Sequence, residues 1–121
     1  MVENISKDVE QIKRHIQTLD KATSMMFESI DCINHVKPNS KTSVDKMERL
    51  LFKTQKQLRK VEECNSKQDI GAYFLIFTAD EDLLHKYRTS QELCKTTLDS
   101  LNNRLMKYHM DNSFKYNYLQ R

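Results

Sequence analysis

A three-four repeat of apolar residues holds one register through the first 33 residues and constrains the fold more than any other feature. Val2, Ile5, Val9, Ile12, Ile16 and Leu19 are followed by Met26, Ile30 and Ile33, with polar Thr23 filling the one gap. This is the a/d pattern of a heptad helix. Val2, Val9, Ile16, Thr23 and Ile30 take the a positions. Ile5, Ile12, Leu19, Met26 and Ile33 take d. At about 1.5 Å per residue such a helix runs about 48 Å. It is apolar on one narrow seam, and that seam needs a facing helix.

The chain has one glycine and one proline in 121 residues. Average composition is about 7% and 5%. Tight turns are therefore few, and long helices with short connections are expected. Charged residues make up 31% and mean hydropathy is −0.75, so the core is thin. The apolar residues are periodic all the same, which argues against disorder.

Six segments follow in order. A heptad helix covers 1–37 and is stopped at Lys37-Pro38, because proline disfavours helical geometry in the residue before it. A linker covers 38–43, with Thr42 or Ser43 as the expected cap of the next helix. The second heptad helix covers 44–69, with Val44, Met47, Leu51, Thr54, Leu58 and Val61 on its seam. It either folds back on the first helix as a hairpin or pairs with another chain. The apolar run 70–78 reads in two ways. Either Gly71 ends the second helix and a compact buried connector or short extended segment follows, with Thr78 and Glu81 as a capping box, or the helix continues, buried on every side. A third helix covers 79–110, with a seam of Leu84, Tyr87, Gln91, Cys94, Leu98, Leu101, Leu105 and Tyr108. An aromatic tail over 111–121 is expected to fray. The fold expected is all-α: two to three long helices with heptad seams in an elongated hairpin or bundle.

Nothing in the sequence points to catalysis. There is no glycine-rich phosphate loop and no nucleophile elbow. The four histidines are scattered, and none pairs at i, i+4 as a helical zinc site would. His85 and Cys94 are nine residues apart, too far for a dyad. The acidic cluster Asp80-Glu81-Asp82 reads as a complement to the positive end of the third helix dipole. The expectation is a non-enzyme with no cofactor and no metal. Cys32, Cys64 and Cys94 are odd in number and lack ligand spacing. They read as reduced thiols, hence a cytoplasmic or nuclear location. No apolar run approaches the ~20 residues of a transmembrane helix.

The net charge of +3 is small against 20 basic and 17 acidic residues, but its distribution is uneven. Residues 41–67 hold eight basic and four acidic side chains. Lys46, Arg49, Lys53, Lys56 and Lys60 step by three and four along the face turned away from the seam. Such a row suits an acidic protein surface. It has no Arg-rich cluster for bidentate base contacts, so specific nucleic-acid binding is not expected. The plainer reading is a solvated back face.

Lys95-x-x-Leu98-Asp99-Ser100-Leu101-x-x-Arg104-Leu105 resembles the KxDL family, small helical subunits of a lysosome-positioning complex. The stretch covers about a tenth of the chain, and Thr97 stands where that motif has Asp. The resemblance implies a helical subunit in membrane trafficking or organelle tethering. From the residues themselves, the function expected is a non-catalytic coiled-coil subunit or adaptor of a multi-protein helical complex. Other helical proteins, or copies of this chain, are the expected partners. Ile5, Val9, Ile12, Ile16, Leu19, Met26, Ile30, Leu98, Leu101 and Leu105 form the expected partner-binding seam. A cytoskeletal or kinetochore subunit is the alternative home. A self-contained three-helix module for an acidic partner is the alternative class.

Overall fold

A computed structural model of the chain describes residues 2–67 and 70–112, with side chains described over 6–67, at Gly71 and over 73–109. Among the described residues the fold is all-α, with no strand. Its four helices are α1 (Val2–His35), α2 (Lys41–Ser66), α3 (Ile70–Ala79) and α4 (Glu81–Asn112).

The helix boundaries follow from capping chemistry, and two differ from expectation. Ser40, in an extended conformation, caps α2 by accepting the Ser43 N–H at 3.3 Å. Ser43 instead turns its hydroxyl to the Lys37 N–H at 3.1 Å, which closes the linker around Pro38. At the head of α4 the cap is Asp80, whose Oδ1 accepts the Leu83 N–H at 3.1 Å. Thr78 is not the cap. It lies inside α3 and bonds back to the Phe74 carbonyl at 2.8 Å. A carboxylate at the N-cap both accepts a free N–H and faces the positive helix end, so Asp80 is the better cap.

The apolar run forms a separate ten-residue helix, neither an extended connector nor an extension of α2. Gly71 falls in the first turn of α3 rather than at the C-cap of α2. At the end of α2, the Lys67 N–H bonds to the carbonyls of Glu63 and Cys64, both at 3.2 Å. The tail from Ser113 onward lies outside the described residues.

Side-chain pairs give the helix directions. Ser29 meets Thr54 and Thr18 meets Cys64, so α2 runs antiparallel to α1. His15 meets Tyr87 and Asp20 meets Ser90, so α4 runs parallel to α1. Helix α3 packs beside the N-terminal half of α1, where Ile12, Tyr73, Ile76, Leu83 and Tyr87 form a small core. The larger core, around Leu19, Met26, Met47, Leu51 and Leu101, lies where α1, α2 and α4 meet.

On α2 the buried stripe is the seam read in the sequence, apart from half-buried Leu58 and buried Gln57, but on α1 and α4 it is displaced. On α1 the buried row is Ile12, His15, Leu19, Ala22, Met26, Ser29 and Ile33. It steps by three and four, like the expected seam, but through d and g rather than a and d. Thr23 is buried as well and bonds back to the Leu19 carbonyl at 2.9 Å. Val9, Ile16 and Ile30 are only half-buried. On α4 the row is Leu83, Tyr87, Ser90, Cys94, Thr97 and Leu101, while Leu84, Gln91 and Leu98 are half-buried. The displaced positions carry small residues: Ala22 and Ser29 on α1, Ser90 and Thr97 on α4. Close-packed interiors leave few voids, so small side chains at the contact let the backbones approach.

This register has a direct test. Ala22 is fully buried, so Ala22→Leu forces extra methylenes into packed space and should cost about 1–3 kcal/mol. Gln17→Leu, on an exposed position, should change stability by less than ~0.5 kcal/mol. Urea melts of the two variants check this. Equal midpoints would place Ala22 outside the packed stripe.

Candidate functional site

Most of the expected partner seam is used inside the chain. Ile12, Leu19, Met26, Leu101 and Leu105 are buried in its own two cores. Val9, Ile16, Ile30 and Leu98 are half-buried at the margins. Ile5 lies outside the residues whose side chains are described. The basic residues Lys46, Arg49, Lys53, Lys56 and Lys60 are all exposed, along about 21 Å of α2. Exposed Phe52 lies beside them, with the Lys56 ammonium 4.7 Å from its ring centre.

The feature that sequence reasoning missed is a groove between α2 and α4. Helices in a closed three-helix bundle sit about 8–10 Å apart, so the nearest Cα atoms of every pair come within about 6 Å. Here α1 touches both neighbours, but among the described residues no Cα of α2 comes within 8 Å of one in α4. Diagonal helices of a square four-helix bundle, about 13–14 Å apart, leave this kind of spacing. Three corners are occupied and one is open.

The open corner is a groove of about 690 Å³. Leu19 of α1 is its floor. Leu58 and Val61 line the α2 bank, and Cys94 and Leu98 line the α4 bank. The rim is polar. Arg59 and Glu62 stand on α2, Glu92 and Lys95 on α4, all four exposed, and none forms an ion pair among the described residues. Gln55 and Asn102 mark one end, Asn65 and Gln91 the other. The sequence did hold a signal for this. Leu83-Leu84 and Thr97-Leu98 are adjacent pairs on the third helix, which widens its face beyond what one neighbour needs.

At the Asn65–Gln91 end the groove borders a buried polar chain. The Gln91 amide donates to the Tyr87 hydroxyl at 3.0 Å, and Tyr87 lies 3.3 Å from His15 Nδ1. The direction of the Tyr87–Nδ1 bond follows the imidazole tautomer. Nε2 is buried without a hydrogen-bond partner. Burial holds the His15 pKa below its ordinary value, and the nearby Asn65 side chain opposes part of the shift. Burial likewise pushes the Tyr87 hydroxyl up to about 12, with smaller contributions from Tyr73 and Cys64. The Cys94 thiol is also raised, chiefly by burial, which keeps it protonated and unreactive. All three cysteines are free.

Among the described residues no three His, Cys, Asp or Glu side chains converge on a point that could hold a metal ion. No helix there is long and apolar enough to cross a membrane. Comparison with family models, curated proteins and solved structures finds no match. The KxDL-like stretch on α4 remains a short resemblance.

His15 makes folding pH-dependent in a defined direction. Its folded pKa lies below the ordinary 6.5. The unfolded chain therefore takes up a proton first as pH falls below 6.5. Stability is full above that value and declines as pH drops toward the folded pKa. Urea midpoints at pH 7.5 and 5.5 should differ in the wild type, with the lower value at pH 5.5. His15→Leu should remove most of the difference. A variant as pH-sensitive as the wild type would assign the effect to other groups.

Proposed function

We propose that this chain is a non-catalytic subunit of a larger helical assembly, contributing a three-cornered bundle that is completed by a helix from outside. One observation carries the reading. Helices α2 and α4 stand apart, and Leu58 and Leu98 are left half-covered above a floor made by Leu19. Apolar side chains placed this way gain about 25 cal/mol per Å² when a helix covers them. Helix-in-groove association uses this geometry, with apolar anchors supplying affinity and flanking charges choosing the partner. The coiled-coil character belongs to this reading too, since the half-buried flank Leu84–Gln91–Leu98 keeps heptad spacing. The KxDL-like stretch on α4 tilts the choice of setting toward trafficking or tethering complexes in the cytoplasm.

A second reading rests on the exposed row of α2. Five cations along one face, with Phe52 at the edge, suit docking to an acidic protein surface. This use is compatible with the first, because the row and the groove lie on different sides of α2.

The groove reading is tested with Leu58→Asp/Leu98→Asp. Both sites are half-exposed, so the isolated chain should keep its helicity. In a native extract the tagged wild type should run well above 14.4 kDa, and the double variant should run at the mass of the chain alone. A double variant that still travels with the assembly, while remaining folded by circular dichroism, would remove the groove from the function.

A further inference from the structure

Like charges face each other across the groove. Ser29 meets Thr54 and Thr18 meets Cys64, which puts Arg59 about level with Ser24 of α1 and Glu62 about level with Lys21. His15 meets Tyr87 and Asp20 meets Ser90, which puts Lys95 about level with Ser24 and Glu92 about level with Lys21. The rim therefore has a basic level, Arg59 opposite Lys95, and an acidic level, Glu62 opposite Glu92. The two levels are about 5 Å apart, close to one helical turn. Neither level can form an ion pair across the opening, so α2 and α4 have no charge pairing with which to close the corner. Each level is left for counter-charges brought from outside. The apolar side chains Leu58, Val61, Cys94 and Leu98 lie beneath them.

We propose that the groove takes a charge-banded amphipathic helix of a different protein, with two carboxylates at one level and two cations one turn on, and this rests on the groove reading above. A helix lying between the banks turns its apolar stripe to Leu19 and one flank to each bank. Both flanks must follow the same order, acid against Arg59 and Lys95, base against Glu62 and Glu92. On a heptad helix with apolar anchors at i, i+4 and i+7, residues i+1 and i+3 reach the two flanks at one level, and i+5 and i+6 reach them one turn on. The signature of the occupant is therefore apolar-acid-x-acid-apolar-base-base-apolar. Acid N-terminal to base is also the better order within a helix. In that order the occupant enters with its N-terminus at the Gln55–Asn102 end and runs parallel to α2. A helix with flanks of one sign satisfies one level and is repelled by the other. No stretch of these 121 residues carries the signature, so a second copy of the chain does not supply it.

Fluorescence anisotropy of the full chain with labelled synthetic helices of about 20 residues tests this. The banded probe is centred on Leu-Glu-Ala-Glu-Leu-Lys-Lys-Leu. Two discordant probes of the same composition have the order reversed on one flank or the other, Leu-Glu-Ala-Lys-Leu-Lys-Glu-Leu and Leu-Lys-Ala-Glu-Leu-Glu-Lys-Leu. Turning a discordant helix end for end does not repair it, because one flank is always out of order. The banded probe should bind the wild type about fivefold tighter than either discordant probe at low salt, and the gap should narrow as salt rises. In Arg59→Glu/Glu62→Lys the two banks run in opposite orders, and one of the discordant probes should become the tightest. A structural effect of these exposed substitutions would not invert the ranking. Leu58→Asp/Leu98→Asp should weaken every probe at least tenfold.

Equal affinities for banded and discordant probes, lost together in the leucine variant, overturn the charge bands and leave the groove reading standing. Probe binding that survives Leu58→Asp/Leu98→Asp lies elsewhere on the chain and overturns the proposal, as does a failure of the banded probe to bind at 100 μM. A wild type that self-associates at 100 μM and is not displaced by the banded probe gives the groove to a second copy, which also overturns it. The groove reading fails separately, when the leucine variant still travels with the native assembly.

Discussion

Helix α1 has to serve two neighbours at once, and its buried row shows how. Toward α2 it presents Ser29, whose hydroxyl meets Thr54 at 2.9 Å in the core. Toward α4 it presents His15, Asp20 and the surface around Ala22 and Thr23. The Thr23 hydroxyl bonds back to the Leu19 carbonyl, while His15 and Asp20 reach across to Tyr87 and Ser90. Ser29 and Thr54 also bond back to the carbonyls of Met25 and Leu50. Net gains from such bonds are about 1 kcal/mol each, but a partner left unbonded in the interior costs 1–3 kcal/mol. The polar pairs therefore act more on alignment than on stability. A slip of α2 by one turn would separate Ser29 from Thr54 and leave both hydroxyls with only their backbone contacts. The registers of α2 and α4 against α1, and hence the shape of the space between them, depend on these small polar contacts.

That dependence explains which parts of the fold were legible in the sequence. The long helices were, because the three-four repeat and the Lys37-Pro38 stop are local signals. The buried face of α2 was legible too, since Val44, Met47, Leu51, Thr54 and Val61 are all buried, but on α1 and α4 the face was legible only in part. A reading that follows Ile, Leu and Val selects Ile16, Ile30, Leu84 and Leu98, and all four are only half-buried. Ala22, Ser29, Ser90 and Thr97 are buried, and an apolar count passes over them. Residue size decides how near two backbones come, and periodicity alone does not report size. The caps show the same limit. Thr78-x-x-Glu81 has the form of a capping box, but Asp80 is the residue at which the chain leaves one helix and enters the next.

The groove was half legible. Leu58 and Leu98 were visible as seam residues, and Gln91 and Leu98 of the third helix seam line the open corner. Its charged rim was invisible for a different reason. Arg59, Glu62, Glu92 and Lys95 are ordinary surface residues until α2 and α4 are known to run in opposite directions. Only then do Arg59 and Lys95 fall toward one end and Glu62 and Glu92 toward the other. The order of charge on a groove is a property of topology, and no single helix carries it.

The Asn65–Gln91 end of the groove is set by the core rather than by the surface. Gln91 lines the opening, yet its amide is held by the Tyr87 hydroxyl at 3.0 Å, and Tyr87 in turn stacks edge-on against His15 with ring centres 5.1 Å apart. Asn65 approaches the same imidazole from α2. One buried histidine thus ties the two banks to α1 at one level. Binding surfaces lose less entropy when their side chains are already fixed. At this end the rotamer of Gln91 is chosen by a contact behind it, before any helix arrives in front.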